Sequence, residues 1–168
     1  MTAGMTPEDE LRAAVETIRP LLERSGEPVV SRRPGPGKWS AKQVLGHLVD
    51  SASNNHQRFV RAQLTDDLVF PGYQQETWVA LQRYDEAPWP ELVTLFTSFN
   101  IHLARVIAAI PPEVRLKTRT RHNLHQLAWK PVPESEPTTL EYFLRDYVGH
   151  LKNHLAQVER ALAGGGTL

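Results

Sequence analysis

Four long amphipathic segments constrain the fold of this chain more than any other feature. Each repeats its apolar residues at spacings of three and four, the period of an α-helix. Stretches rich in proline and glycine separate the segments and interrupt both helices and strands. No segment of similar length alternates apolar and polar residues as a strand does. The pattern therefore predicts an all-α fold, a four-helix bundle with irregular connections, in which ligand sites form between facing helices.

The first two predicted helices begin at recognisable start signals. Thr6 can cap the first helix, with Pro7 at the first helical position and acidic residues behind it. Ser40 and Gln43 form a capping box at the start of the second helix. We expect the second helix to bury a run of apolar residues: Val44, Leu45, Leu48, Val49, Ala52, Phe59 and Val60.

The other two predicted helices lie in the second half of the chain. The third runs from Glu91 until Pro111 ends it, and the fourth opens at a Thr138–Glu141 capping box and ends at the glycines that follow Leu162. The residues expected to face the core are Leu92, Leu95, Phe96, Phe99, Leu103, Val106, Ile107 and Ile110 in the third helix, and Phe143, Leu144, Tyr147, Leu151, Leu155, Val158 and Leu162 in the fourth.

An irregular segment, residues 115–137, separates the third and fourth helices. Its basic residues alternate with uncharged ones, which predicts a short strand or hairpin arm. We expect the basic residues to form a solvated face that Glu134 and Glu136 can neutralise, with an anion-binding flap as the alternative. These basic residues are Lys117, Arg119 and Arg121.

Composition bounds the class of protein. The chain has 168 residues, which predicts one domain over residues 1–168, with mobile tails at about 1–5 and 164–168. Lysine plus arginine equals aspartate plus glutamate, 19 against 19, so we expect neither nucleic acid nor an anionic membrane as a partner. Without a signal peptide or a membrane-spanning run, the sequence predicts a soluble, cytoplasmic protein. The absence of cysteine leaves histidine, carboxylate and water as metal ligands.

The last predicted helix carries two histidines, His150 and His154, four residues apart. On a helix this spacing puts both rings on one face, where their nitrogens can converge on one metal ion. Seven histidines in this length give roughly 0.3 such pairs by chance, so a third ligand is needed. His47 on the second helix is the candidate, because facing helices of a bundle bring such side chains together.

A polar stripe accompanies His47 along the second helix. Ser51, Asn54 and Arg58 follow it at spacings of four, three and four, beside the apolar seam. Asn54 and Arg58 are candidate substrate-binding residues, since arginine can hold a carboxylate by two parallel hydrogen bonds. Asp50 is placed to act as a base or as a hydrogen-bond partner of a metal ligand, and a solvent-exposed helix aspartate is the alternative.

Three short motifs follow one another along the chain. They are Pro36-Gly37-Lys38-Trp39-Ser40; Gly46-His47-Leu48-Val49-Asp50-Ser51 followed by Asn54 and Arg58-Phe59; and the His-x-x-x-His of residues 146–155. In this order they resemble the DinB-like superfamily and, more closely, its YfiT-like branch, over roughly residues 34–159. The segment from Tyr73 to Trp78 also resembles that branch. The chain departs from the branch at His122-Asn123-Leu124, where His-Pro-Glu is expected.

The resemblance implies a four-helix bundle, often dimeric, with one divalent ion per chain, such as zinc or nickel. It assigns the ion to His47, His150 and His154, with waters completing the shell. Members of the branch are described as metal-dependent hydrolases, and the wider superfamily includes thiol S-transferases and a thiol-dependent isomerase. A homodimer is expected mainly on this ground, and three tryptophans could supply exposed aromatic surface for it: Trp78, Trp89 and Trp129.

Three histidines with an open coordination position suit hydrolysis, because such a site lowers the pKa of a bound water to about 7. The His150–His154 stretch has no glutamate after its first histidine and so differs from the His-Glu-x-x-His metallopeptidases. The expected function is a metal-dependent hydrolase with a small-molecule substrate. Two alternatives stay open: a transferase whose ion activates a low-molecular-weight thiol, and a non-catalytic, metal-stabilised protein of stress response or interaction.

Overall fold

The computed structural model describes residues 4–163 and confirms the predicted helical bundle. Four of its helices are long, and short elements connect them. In chain order the elements are α1 (Pro7–Arg24), α2 (Ala41–Arg61), α3 (Gln75–Leu81), α4 (Trp89–Ala108), α5 (Pro112–Leu116), β1 (Thr118–Arg119), α6 (Leu124–Leu127), β2 (Thr138–Thr139) and α7 (Leu140–Ala163). Most of the tail residues predicted to be mobile, and the glycines predicted to end the last helix, lie outside the described residues.

The four long helices pack around a shared apolar core. Both α1 and α2 contact α4 and α7. Between α2 and α7, the ring of Phe59 meets Phe143 and Tyr147 edge-on, at centroid distances of 5.6 and 5.7 Å. Burying a large apolar side chain contributes about 1.5–3 kcal/mol, so these contacts fix how α2 and α7 lie against each other. The same two helices carry the three candidate metal ligands.

The start signals of the first two helices are confirmed. The Thr6 hydroxyl accepts a hydrogen bond from the Asp9 amide at 3.3 Å. At α2, the Gln43 amide donates to the Ser40 hydroxyl at 3.3 Å, and the Ser40 amide donates to the Gln43 side chain at 3.1 Å. Because both partners of the capping box are engaged, the first turn of α2 is fixed one turn before His47.

The capping box predicted at Thr138 is wrong by one residue. Thr138 is extended and pairs with Arg119 in the β1–β2 ladder, so the helix begins later. Thr139 caps it instead, accepting a hydrogen bond from the Tyr142 amide at 3.1 Å. Glu141 does not close the box, because its carboxylate accepts from Arg115 at 2.8 Å.

Three residues differ in burial from the sequence prediction. Val60 and Leu95, predicted in the core, are 39% and 49% exposed, while Trp89, predicted to be exposed, is 4% exposed. Neighbouring helix residues point about 100° apart, so the bundle covers Phe59 and Phe96 and leaves the residue beside each of them at the surface. The indole of Trp89 donates to the Leu22 carbonyl at 2.8 Å and joins α4 to α1.

The basic segment after α4 forms a short antiparallel ladder, and its predicted solvated face is partly wrong. Thr118 pairs with Thr139, and Arg119 pairs with Thr138. Arg119 is buried and donates hydrogen bonds to backbone carbonyl groups. The partners of the other two basic residues are not Glu134 and Glu136, as expected, but two aspartates: Lys117 pairs with Asp66 and Arg121 with Asp67.

The helices that the structure describes include none with both the length and the apolar character needed to cross a membrane.

Candidate metal centre

Three histidines from two long helices meet between α2 and α7. His47 is buried on α2, and His150 and His154 stand one turn apart on α7. The Nε2 atoms of His47 and His150 are 3.3 Å apart. One ring nitrogen from each histidine lies within 4.8 Å of the other two. The structure thus brings together the three residues singled out in the sequence, in a group that could hold a metal ion.

Burial keeps these imidazoles neutral. Burial first, and then the neighbouring His154, lower the pKa of His47 to about 4. Burial, His154 and His47 lower the pKa of His150 to about 3. Burial also lowers the pKa of His154, although its hydrogen bond to Gln157 acts in the opposite direction. Near pH 7 the cluster therefore presents lone pairs, which is the form of histidine that binds metal.

The donor set fits a divalent ion. Neutral imidazole nitrogens suit zinc and nickel, and a three-histidine set leaves further positions for water or substrate. Within residues 4–163 this is the one group of three or more histidine, aspartate or glutamate side chains close enough to share an ion. His47 Nδ1 is buried and has no hydrogen-bond partner among these residues. The Nε2 atom of the same ring is the one that faces His150, so Nδ1 does not compete with it for a metal ion.

Two side chains orient the ligands from outside the cluster. The Nδ1 atom of His154 lies 3.1 Å from Oε1 of Gln157, which can only accept, so Nδ1 carries the proton and Nε2 is left free for a metal. The indole of Trp39 packs on the His47 ring at a centroid distance of 5.3 Å. These contacts fix the tautomer of one ligand and the ring position of another.

Asp50 is buried, so the alternative of a solvent-exposed aspartate is wrong. Its Oδ1 accepts hydrogen bonds from the Tyr84 hydroxyl at 2.7 Å and from Gln82 at 2.6 Å. Burial raises its pKa against the effect of these two donors. The Tyr84 ring lies flat against Gly46, the residue before His47. Asp50 thus anchors Tyr84 beside α2, next to His47. Its role as a base stays a prediction.

A cavity of about 280 Å³ opens beside His150 and His154. It is small for a ligand site, which suits a small molecule. Arg58 of the predicted polar stripe lines it, and Asn54 is not in its lining; instead the Asn54 side chain donates to the Asp50 carbonyl at 2.9 Å. The other polar and aromatic groups of the wall are Ser51, Asn55, Tyr73, Gln75, Gln126, Trp129, Phe143, Asp146 and Tyr147.

Several of these wall residues were missed by the sequence analysis. Asn55 differs from the predicted Asn54 by one step around α2, about 100°, which a stripe of polar residues does not resolve. Gln126 and Trp129 come from the irregular segment, where no periodicity indicates direction. Asp146 could have been found, because it lies one turn before His150 on the same helix face.

Asp146 joins one wall of the cavity to α7 by hydrogen bonds. Its two carboxylate oxygens accept hydrogen bonds from the backbone amides of Trp129 and Lys130, both at 2.8 Å. Trp129 then packs close to Gly149, where a Cβ atom would lie 3.1 Å from its ring. The wall formed by residues 126–130 is therefore positioned by α7, the helix that carries two of the three histidines.

A bundle of four long helices with three converging, neutral histidines beside a small cavity defines the class: a helical protein with a candidate metal centre. The sequence profile of the DinB superfamily matches residues 10–158. The chain belongs to the DinB superfamily, which confirms the resemblance found in its motifs.

Relatives of known sequence and structure agree with this assignment. Proteins of Bacillus mycoides (strain KBAB4) and Bacillus cereus (strain B4264), each named "Putative metal-dependent hydrolase", are 25% identical over 122 residues, 73% of this chain and 64% of theirs. The chain thus spans less than two thirds of the length of these relatives. YfiT from Bacillus subtilis, described as "a probable metal-dependent hydrolase with an unusual four-helix bundle topology", shares the fold with a TM-score of 0.73 at 18% identity, over 100% of this chain and 93% of YfiT.

Proposed function

We propose that the protein is a metal-dependent hydrolase of small molecules, with one divalent ion, zinc or nickel, held by His47, His150 and His154. The observation that carries the proposal is the convergence of three neutral ring nitrogens within 4.8 Å, two of them on residues that line a cavity. The names of the relatives support the same assignment.

Some residues of the site would hold the ion, and others would orient the substrate. His47, His150 and His154 would hold a divalent ion, which would supply Lewis acidity to a bound water or a substrate carbonyl near neutral pH. Gln157 holds His154 in the metal-binding tautomer. Ser51, Asn55 and Tyr73 offer the cavity hydroxyl and amide groups that can orient a substrate by hydrogen bonds.

The reaction proposed is the hydrolysis of an ester or amide. The oxygen of water bonds to the acyl carbon, the carbon–oxygen or carbon–nitrogen bond breaks, and the leaving group takes a proton from the water. The cavity wall around Trp129 and Phe143 supplies apolar surface for the rest of the substrate, which supports a small organic molecule over a bare ion.

The test compares metal-free and zinc- or nickel-loaded protein on a panel of esters and amides. We expect turnover with metal, none above background without it, and loss of turnover in His150→Ala. His102→Ala is the matched control, because His102 is exposed and lies outside the cluster. Metal uptake that raises the melting temperature without turnover of any panel member would favour the non-catalytic alternative.

A thiol S-transferase is the second candidate, and Arg58 in the cavity favours it. A small thiol with carboxylates could bind Arg58 while its sulfur approaches the ion, supplying the thiolate that a chain without cysteine lacks. The sulfur would bond to the electrophilic carbon, and the leaving group would take the thiol proton. Adding small thiols to the same panel separates the two: thiol consumption without hydrolysis would overturn the hydrolase proposal.

A further inference from the structure

Arg58 is a buried cation that lacks an anionic partner among residues 4–163. Its side chain is on α2, and the residue is 6% exposed. No carboxylate of residues 4–163 forms an ion pair with it, and the aromatic hydroxyl group of Tyr73 is the one ionisable neighbour that affects its pKa. A buried charge is costly unless an opposite charge or several hydrogen bonds compensate it. A partner from outside the chain is therefore expected.

The hydrogen bonds of Arg58 leave part of the guanidinium group unused. Nη2 donates to the Pro71 carbonyl at 2.9 Å, and Nη1 donates to Asn55 Oδ1 at 3.4 Å, a long bond. The guanidinium also lies over the Tyr73 ring, with Cζ 6.0 Å from the ring centroid. A guanidinium carries five N–H donors in a flat fork, which fits the two oxygens of a carboxylate. The group is thus held in place by the protein and still has donors to offer.

Arg58 lines the cavity beside the histidine cluster, so its remaining N–H donors can reach a ligand bound there. Arg58, His150 and His154 line the same cavity. The other charged residue of its wall, Asp146, already accepts two hydrogen bonds from backbone amides. Arg58 is therefore the charged group of the described wall that can donate hydrogen bonds to an anionic ligand.

The spacing along α2 sets the length of a ligand that reaches both ends. His47 and Arg58 are eleven residues apart, so their Cα atoms are separated by about 16 Å along the helix axis. The long Arg58 side chain leans towards the N-terminus of α2 and shortens this span. A ligand that touches both Arg58 and the histidine cluster therefore needs a spacer between its anionic group and the group at the cluster.

We propose that the cavity binds a small, elongated molecule that carries a carboxylate, which Arg58 holds by its guanidinium group while the bond to be cleaved lies at the histidine cluster. The inference rests on the proposed function in placing the reacting group at the histidines. Apolar side chains of the same wall, among them Trp129 and Phe143, fit the apolar part of such a ligand. N-acyl ω-amino acids, in which a methylene chain separates the carboxylate from the scissile amide, are the simplest molecules with this arrangement.

The test measures binding of matched pairs, each an N-acetyl amino acid and its neutral amide, to zinc-loaded protein by calorimetry. A set that runs from glycine to longer ω-amino acids varies the distance between the carboxylate and the scissile amide. We expect at least one carboxylate to bind about 10- to 100-fold more tightly than its amide, the ratio expected of a charge-assisted hydrogen-bonded pair. Arg58→Met should abolish the preference while keeping the metal content of the wild type.

Two further variants separate charge, geometry and folding. Arg58→Lys keeps the charge but loses the fork, so its preference should fall between those of wild type and Arg58→Met. Arg61→Met removes an exposed arginine one turn away on α2 and should keep the full preference. Melting temperature and metal content of each variant show that it is folded and loaded.

Either of two results would overturn the inference. One is the absence of a carboxylate preference in every pair. The other is a preference that survives in folded, loaded Arg58→Met, because the ion and not Arg58 would then bind the carboxylate. Carboxylate binding without hydrolysis of the corresponding amides or esters would contradict the proposed function alone, and hydrolysis of neutral esters without carboxylate preference would contradict this inference alone.

Discussion

Gly46→Ala tests the packing that positions His47. Gly46 lies directly before His47 on α2, and the ring of Tyr84 covers its Cα. A Cβ at this position would lie 2.2 Å from Cγ and Cδ2 of Tyr84 and 2.7 Å from Cδ1. Carbon atoms in contact are normally about 3.5–4.0 Å apart, so the ring must move by more than ~1 Å.

Moving the ring has a second consequence, because the Tyr84 hydroxyl donates to the buried Asp50 carboxylate at 2.7 Å. Overpacking a core costs about 1–3 kcal/mol, and loss of a hydrogen bond to a charged group costs about 1.5–3 kcal/mol. The higher helix propensity of alanine offsets this loss of stability by about 1 kcal/mol. We therefore expect Gly46→Ala to lower the free energy of unfolding by about 2–4 kcal/mol, or the melting temperature by about 4–16 °C for a chain of this size.

The assay is thermal and urea unfolding of metal-free protein. The matched control is Gly149→Ala on α7, whose Cβ would lie 3.1 Å from Trp129, a 42% exposed ring that can shift. That variant should stay within about 1 kcal/mol of wild type. In a Tyr84→Ala background, Gly46→Ala should become neutral or slightly stabilising. Equal destabilisation by Gly46→Ala in both backgrounds would refute the clash with Tyr84 as its cause.

Three further predictions concern the ligands and their supports. Burial lowers the pKa of His47 from 6.5 to about 4, so the unfolded protein takes up this proton first as the pH falls. His47 alone should then cost metal-free protein about 3 kcal/mol of stability between pH 6.5 and pH 4, and the lowered pKa values of His150 and His154 add to this loss; unfolding free energies independent of pH in this window would contradict this. Gln157→Leu should weaken metal binding about 10- to 100-fold in a chelator competition, while Gln157→Glu should keep the metal affinity of the wild type. Equal affinity in all three proteins would show that Gln157 does not support the metal site. Asp50→Asn should keep the metal and, if Asp50 is the predicted base, lower turnover by ~10² or more; unchanged turnover would leave Asp50 with its hydrogen bonds to Tyr84 and Gln82 and no part in proton transfer.

The sequence predicted the parts of the fold that local rules decide. The cap at Thr6 and the capping box at Ser40 involve residues three apart, so their geometry follows from the helix itself. The His150–His154 pair was predictable for the same reason. His47 could be added because a bundle with four long helices leaves few ways to pair a histidine of α2 with that face of α7.

What the sequence did not predict depends on contacts between distant segments. The sequence around Thr138 is typical of a helix cap, but Thr138 pairs with Arg119 in the β1–β2 ladder. Trp89 was predicted to be exposed, but its indole N–H donates to the Leu22 carbonyl and the ring is buried. The cavity wall at Trp129 depends on Asp146, 17 residues further along the chain. No local pattern in the irregular segment encodes that hydrogen bond, so the shape of the site had to come from the structure.

Metal content is the most direct test of the central claim, that His47, His150 and His154 form one metal site. Purified protein is loaded with zinc or nickel, freed of excess ion and analysed by mass spectrometry for ions per chain. We expect about one ion per chain in wild type and in the His102→Ala control, and a small fraction of that in His47→Ala and in His150→Ala, provided each variant is folded. Stoichiometric metal retained by both His47→Ala and His150→Ala would contradict the three-histidine site.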